Sequence, residues 1–338
     1  MRRDIQLCCN DIIYRIQVST MSFPYQFEYL MDKPIIDTRK VLSTQGNING
    51  PSLIEVPSWV ESPLGKYYLY FAHHEGLSIK LLTADSLAGP WELHENGVLH
   101  LHETDFCQIP PAREDTRPEV LAQIDAGMDG DYAHIASPDV HCDEKSSEIR
   151  MYFHGRVADG TQCTKLAVSK DGLNFRAHHE PLGLSYFRVF ELAGWHYAIA
   201  LGGQLYRSKD GRIGFETGPI ITAENFRHCA IHIENESVYV FWSRPGDNPE
   251  RILVSKLDTT GDWLNWKLEE PNEVHAPERA WEGSQEHAEP SIWGGIMSPA
   301  KQLRDPAIYR EGDKLWLLYS IAGEQGLAIG RLDPVVAG

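Results

Sequence analysis

Short runs of alternating apolar and polar residues, rich in β-branched and aromatic side chains, recur along the chain between Gly, Asp and Asn turns. Such runs predict strands, because a period of two lays one face of each run on a core. The last of them shows the unit most clearly. Arg304-Asp305-Pro306 opens a strand through Ala307, Ile308 and Tyr309, and Glu311-Gly312-Asp313 turns the chain into a second strand over 314–320. A third strand begins near Leu327, after Ala322-Gly323-Glu324. The unit is an antiparallel meander. It recurs from Pro51, Pro138, Arg188 and His228, with second strands such as Tyr67-Tyr68-Leu69-Tyr70-Phe71 and Val238-Tyr239-Val240-Phe241-Trp242.

Five unequal repeats of a four-stranded meander predict radial repetition, since each small sheet buries its faces only against its neighbours. The expected fold is therefore all-β: a five-bladed β-propeller with four-stranded antiparallel blades. The fifth repeat runs out of chain after three strands, so an N-terminal strand, from 27–36 or 11–19, is expected to close the ring. Residues 21–338 read as a single domain. Residues 1–20 read as an extension ahead of Met21, which is an alternative start.

In such a ring the first strand of each blade starts on the rim where the second ends. First-strand starts are Asn49-Gly50-Pro51, Ser137-Pro138-Asp139, Tyr186-Phe187-Arg188, Arg227-His228 and Arg304-Asp305-Pro306; second-strand ends include His73-His74-Glu75, His154-Gly155-Arg156 and Trp242-Ser243-Arg244. Polar, cationic and aromatic groups thus converge on one face. Two long connections land there too: 95–136, with a helix expected over 118–126, and 269–302, with Glu278, Trp281, Glu282, Glu286, His287, Glu289 and Trp293. Long loops in compact domains commonly carry function.

Charge narrows the partners. Lys and Arg number 31 against 48 Asp and Glu, a formal charge of −17, which argues against nucleic acid and anionic membranes. A neutral small molecule fits better. The six cysteines show neither CxxC pairs nor framework spacing and read as structural thiols in a reducing compartment. With no secretory h-region or membrane-length apolar run, the expected location is cytoplasmic.

Gly65-Lys66-Tyr67-Tyr68-Leu69-Tyr70-Phe71, Asp85-Ser86-Leu87-Ala88-Gly89-Pro90-Trp91, Ser137-Pro138-Asp139-Val140 and Leu303-Arg304-Asp305-Pro306 resemble the five-bladed propeller glycoside hydrolases of the family-43 group. The resemblance covers most of 45–333. It implies an inverting glycosidase, with acid and base carboxylates roughly 6.5–9.5 Å apart; the crowded long loops predict a pocket, and so an exo-acting enzyme on a small oligosaccharide. The family's base stands at the first blade opening, where this chain has Asn49-Gly50-Pro51 and no carboxylate; the openings at Arg188 and His228 lack one as well. The candidate catalytic set is therefore Asp139 and Asp305 as base and tuning group, with Glu289 or Glu282 as acid. His74 or His154 could stand in for proton transfer.

Candidate substrate-binding residues are His73, His74, His154, Arg188, His228, Arg244 and Arg304, with Trp242, Trp281 and Trp293 to stack on a sugar face. The plainer readings are that Asp139 and Asp305 cap turns, that Glu282 and Glu289 are solvated and that the arginines pair with acids. Gly50 favours a second function, a non-catalytic sugar-binding propeller or decayed enzyme. Free rim arginines would favour a phosphorylase or acidic-sugar hydrolase, and an interaction scaffold ranks last. No HExxH or close Cys/His set marks a metal site and no cofactor is required, although the resemblance leaves room for a channel ion such as calcium.

Overall fold

The structure, a computed structural model, describes residues 25–41, 44 and 46–334. Five antiparallel sheets follow one another along the chain. Blade one is Asn49–Glu55, Tyr67–Ala72, Ser78–Ala84 and Glu92–His100. Blade two is Ile135–Asp143, Glu148–Arg156 and Gln162–Ser169, with Arg176–Ala177 and Gly183–Leu184 sharing its outer edge. Blade three is Arg188–Leu192, Trp195–Ala200, Gln204–Ser208 and Glu216–Ile220. Blade four is Cys229–Glu234, Ser237–Trp242 and Ile252–Asp258, edged by Lys267–Leu268 and Asn272–His275. Blade five is Arg304–Glu311, Lys314–Ile321 and Gly326–Pro334.

The fifth blade takes its outer strand from the start of the described chain. Tyr25–Tyr29 pairs antiparallel along Gly326–Pro334, and Ile36–Asp37 pairs with its beginning. Of the two segments expected to close the ring, 27–36 covers part of this strand pair, which a turn interrupts. The other, 11–19, lies outside the described residues, as do the extension 1–20, Cys8 and Cys9.

Apolar packing explains the ring. The core is divided into five clusters, one for each junction between neighbouring blades. No blade buries both faces alone, so closure is what completes the core. Trp242 belongs to this packing: it is 1% exposed between blades three and four, stacks on Phe226 and donates its indole N–H to Ser255. It is not available to a sugar.

Glu282, a candidate acid, fastens the closure. It is buried, accepts from Tyr29 of the closing strand and from Tyr319 of blade five at 2.8 Å each, and meets His275 Nε2 at 2.7 Å. The backbone N–H groups of Glu278 and Arg279 also donate to it. Burial pushes its carboxyl up, but the bonds from His275, Arg279 and Tyr29 outweigh this and hold it below the ordinary range. Trp281 sits beside it, half-buried, edge-on to Tyr29. Glu282→Gln is expected to destabilise the fold by about 1–2 kcal/mol. A carboxyl depressed by folding stabilises above its unfolded pKa and loses that contribution as pH falls. Urea unfolding should therefore show the wild-type advantage at pH 7 and its disappearance below about pH 4.

Candidate functional site

In blades one, two and five the pairing of the first two strands slips at the opening, between Asn49 and Ser52, Ala136 and Asp139, and Arg304 and Ala307. Inside each slip stands a residue with positive φ followed by proline: Gly50 at 60°, Ser137 at 51° and Asp305 at 49°. Tyr186 repeats the backbone in blade three, at 66°. A bulge of this kind re-aims a side chain out of the strand plane. At Gly50 a Cβ would lie 3.2 Å from the Cα of Ser137, so the close approach of blade two favours glycine there, while Ser137 and Asp305 hold the same backbone with a side chain.

The equivalent of Asp305 in blade two is therefore Ser137. Asp139 is equivalent to Ser52 and Ala307. It faces an axial cavity of about 380 Å³, together with His141 and Arg188. There it meets His141 Nε2 and accepts the backbone N–H of Val189, at 2.8 Å each. Burial pushes the Asp139 carboxyl up, but His141 and Arg188 outweigh it and keep it below the ordinary range. Arg188 is buried and donates to the carbonyls of Ser137, Pro138, Phe187 and Cys229, bridging blades two, three and four.

A second cavity, of about 350 Å³, lies where the blade openings meet the long connections. Connection 101–134 contributes the helix Pro118–Asp125, which begins with proline in its first turn as helix geometry favours. Val120, Gln123, Met128, Asp129, Tyr132 and His134 of this connection line the cavity. The other connection brings Trp293 and Gly294; the blades bring His74, Tyr186, Arg227 and His228. Arg227 lies 5.5 Å from the Trp293 ring.

Histidines dominate the polar groups. His228 Nδ1 contacts the carboxylate of Asp305, which also accepts from Ser320 at 2.9 Å. Its Nε2 has no hydrogen-bond partner among the described residues. Burial, reinforced by Arg188 and Arg227, holds the imidazole well below its ordinary pKa and so neutral. His154 is buried with both ring nitrogens unpartnered among the described residues, beside His134 and Tyr186. Burial brings His134 down to about 4, and likewise His73, which lies behind the lining.

A chain of alternating charges supports the cavity. Arg227 donates to Glu250 at 3.0 Å, Glu250 faces Arg304 at 3.4 Å, Arg304 donates to Glu324 at 2.9 Å, and Glu324 faces His74 Nε2 at 3.1 Å. All but His74 are buried. Asn47 and Asn49 also donate to Glu324. Burial raises the Glu324 carboxyl, but His74, Arg304 and Asn47 more than offset it and hold it well below the ordinary range.

Of the residues expected from sequence, the cavity gathers His74, His228 and Trp293, with Asp305, His154 and Arg304 behind them. It does not gather the others. Glu289 is 72% exposed, near His287 only; Glu282 and Trp281 are at the ring closure; Trp242 is core. Arg244 pairs with Asp247 and Glu224. Rim arginines free for an acidic ligand are not what the described residues present. Nor, among them, do three or more His, Cys, Asp or Glu side chains converge as a metal site. The four described cysteines are free thiols, and no described helix is long and apolar enough to cross a membrane.

Tyr132, His134, Tyr186, Glu250 and Glu324 were not among the sequence candidates. For Tyr186 the signal was present, since it opens blade three as Asp305 opens blade five. For Glu250 and Glu324 there was none, because each looks like an ordinary turn acid.

No protein-family model matches the sequence. The chain is 32% identical over 328 residues to "Uncharacterized protein R118" of Acanthamoeba polyphaga mimivirus, covering 88% of each. Among solved structures it is similar to a GH43_1 enzyme from Xanthomonas citri complexed with xylose (TM-score 0.56, 14% identity, 90% of each chain). A GH43 β-xylosidase/α-arabinofuranosidase from a compost microbial metagenome, in complex with xylotriose, gives TM-score 0.56 at 13% identity over 92% of this chain and 98% of that one. An exo-β-1,3-galactanase from Phanerochaete chrysosporium gives 0.53 at 12% over 85% and 60%. These likenesses establish a shared five-bladed propeller.

Proposed function

The chain belongs to the family of that mimivirus protein, and we propose that it is a glycoside hydrolase taking the end of a small, neutral glycoside into the histidine-rich cavity. The observation that carries this reading is the Asp305–His228 pair. A carboxylate on Nδ1 fixes the tautomer and leaves a buried Nε2 lone pair, unpartnered among the described residues, on a ring that lines the cavity, which is the arrangement of a general base. His228 then takes the proton of the attacking water, the task that a carboxylate performs in inverting glycosidases. The fold is that of enzymes crystallised with xylose and xylotriose, and a cavity walled by the long connections suits an exo-acting enzyme better than an open groove.

Trp293 supplies an aromatic wall. Trp293→Ala is expected to weaken sugar binding by about 0.5–1.5 kcal/mol, up to roughly tenfold in Kd, as titration calorimetry would register.

A non-catalytic sugar-binding propeller is the second reading, favoured by Gly50 and Ser137 at openings where a carboxylate could stand and by the ion-paired state of Glu324. A panel of aryl xylosides, arabinofuranosides, galactosides, fucosides and glucuronides, with anomeric NMR on each hit, separates the two. Hydrolysis with inversion is the expected result. Silence across the panel with thermal stabilisation by a sugar would establish the binding module instead.

A further inference from the structure

A base removes one proton, and hydrolysis needs a second group to deliver one to the departing oxygen. No free carboxylate stands ready for this in the cavity wall. Asp129 is bound to Arg156 through both oxygens at 3.0 Å and to Gln162 at 2.8 Å. Glu119 is an exposed helix residue at the mouth, paired loosely with Arg117.

Across the cavity, Tyr132 Oη lies 2.9 Å from His74 Nδ1, while His74 Nε2 lies 3.1 Å from Glu324. Arg304, Asn47 and Asn49 fix the carboxylate, and the backbone N–H of His74 donates to Asn47 Oδ1 at 3.0 Å. Every polar atom of the His74 side chain is therefore directed. Because a carboxylate faces Nε2, that nitrogen carries hydrogen, and Nδ1 has two states. As a lone pair it accepts from the Tyr132 hydroxyl; as N–H it donates to the phenol oxygen and turns the hydroxyl hydrogen into the cavity. These are the two ends of a proton relay.

We propose, resting on the glycosidase reading, that Tyr132 is the proton donor of this site and that His74, positioned by Glu324, recharges it. In the forward step the bond from the anomeric carbon to the aglycone oxygen breaks as the Tyr132 hydroxyl protonates that oxygen. Tyr132 takes the Nδ1 proton of His74 in the same motion, and His74 ends neutral with Nε2–H on Glu324. Water adds to the anomeric carbon and gives its proton to His228 Nε2. One histidine has lost a proton and the other gained one, and exchange with solvent restores both. Tyr132 is a weak acid by itself, since burial pushes its phenol up, with Asp129 and Glu324 adding to the effect; the imidazolium is what makes it a donor. The groups facing His74 are Glu324, Tyr132, His134, His73, His154 and His228.

Leaving-group dependence tests this assignment. A dinitrophenolate departs without protonation, whereas a phenolate needs it. Tyr132→Phe is expected to lower kcat on phenyl xyloside and phenyl arabinofuranoside by about 10²–10⁴-fold and on the 2,4-dinitrophenyl counterparts by less than about tenfold. His74→Gln should give the same selectivity, with thermal melts confirming that both variants fold. Equal losses on the two leaving groups, or none, would overturn the donor role while leaving the hydrolase reading intact. A wild-type protein inert to both substrates would overturn the hydrolase reading, and this inference with it.

Discussion

His228→Gln is expected to lower kcat by about 10²–10⁴-fold, the usual worth of a positioned general base, with KM changed little. Glutamine keeps most of the volume and a hydrogen-bonding tip, but supplies no basic nitrogen at the cavity. Asp305→Asn should act in the same direction and more weakly, because the imidazole stays in place while its tautomer is no longer dictated by a carboxylate on Nδ1. The pH profile carries the sign. His228 is held well below its ordinary pKa, so the acid limb of wild-type kcat/KM should lie below the ordinary imidazole range. A His228→Gln enzyme with full turnover on phenyl glycosides would remove this residue from the mechanism.

The second large effect is on stability in acid. His73 and His134 are brought down to about 4 by burial, and His154 and His228 are also well below their ordinary values. An unfolded chain protonates these groups near pH 6.5, while the folded chain refuses the proton. The unfolded state therefore binds more protons at pH 5, and stability falls as pH drops from about 6.5 toward 4, at about 1.4 kcal/mol for each unit by which a pKa is depressed. His141 works in the opposite direction: burial lowers it, but Asp139 outweighs this and raises it. It gains stabilisation below its unfolded pKa, yet it is one group against six, since burial lowers His178 and His232 as well. Urea unfolding at steps between pH 7 and 4.5 should show a loss of several kcal/mol, shallower in His134→Gln; a flat series would mean that these rings are hydrated in solution.

Much of the fold was legible before any coordinates. Apolar, aromatic-rich runs such as Tyr67–Ala72 and Lys314–Ile321, with turns at Gly65 and Gly312, carry strand, turn and repeat in local chemistry. The missing fourth strand of the last repeat even pointed to closure by the N-terminal segment, since a blade lacking a strand leaves an open edge. The helix over 118–126 was visible from Pro118 and its periodicity and spans Pro118–Asp125.

The site was legible only in part. Rim position brought out His74, His228 and Asp305, because propeller geometry converts order along the chain into place. Register did not come through: Ser137 and Asp139 are two residues apart in one opening, and the bulge between Ala136 and Asp139 sends Asp139 to the axial cavity and leaves Ser137 buried against Gly50. Pairing was equally hidden. Glu282 and Glu289 look alike in the sequence, yet one is buried under the ring closure and the other is in solvent; Glu250 and Glu324 look like turn acids, yet they hold Arg227, Arg304 and His74 in place. The sequence by itself determined strands, turns and their repetition, because these follow from contacts between near neighbours. Tertiary structure alone decided which charges are paired, which histidines are dry and which oxygen faces the cavity, because burial and partnership are set by residues far apart in the chain that meet only when the ring closes.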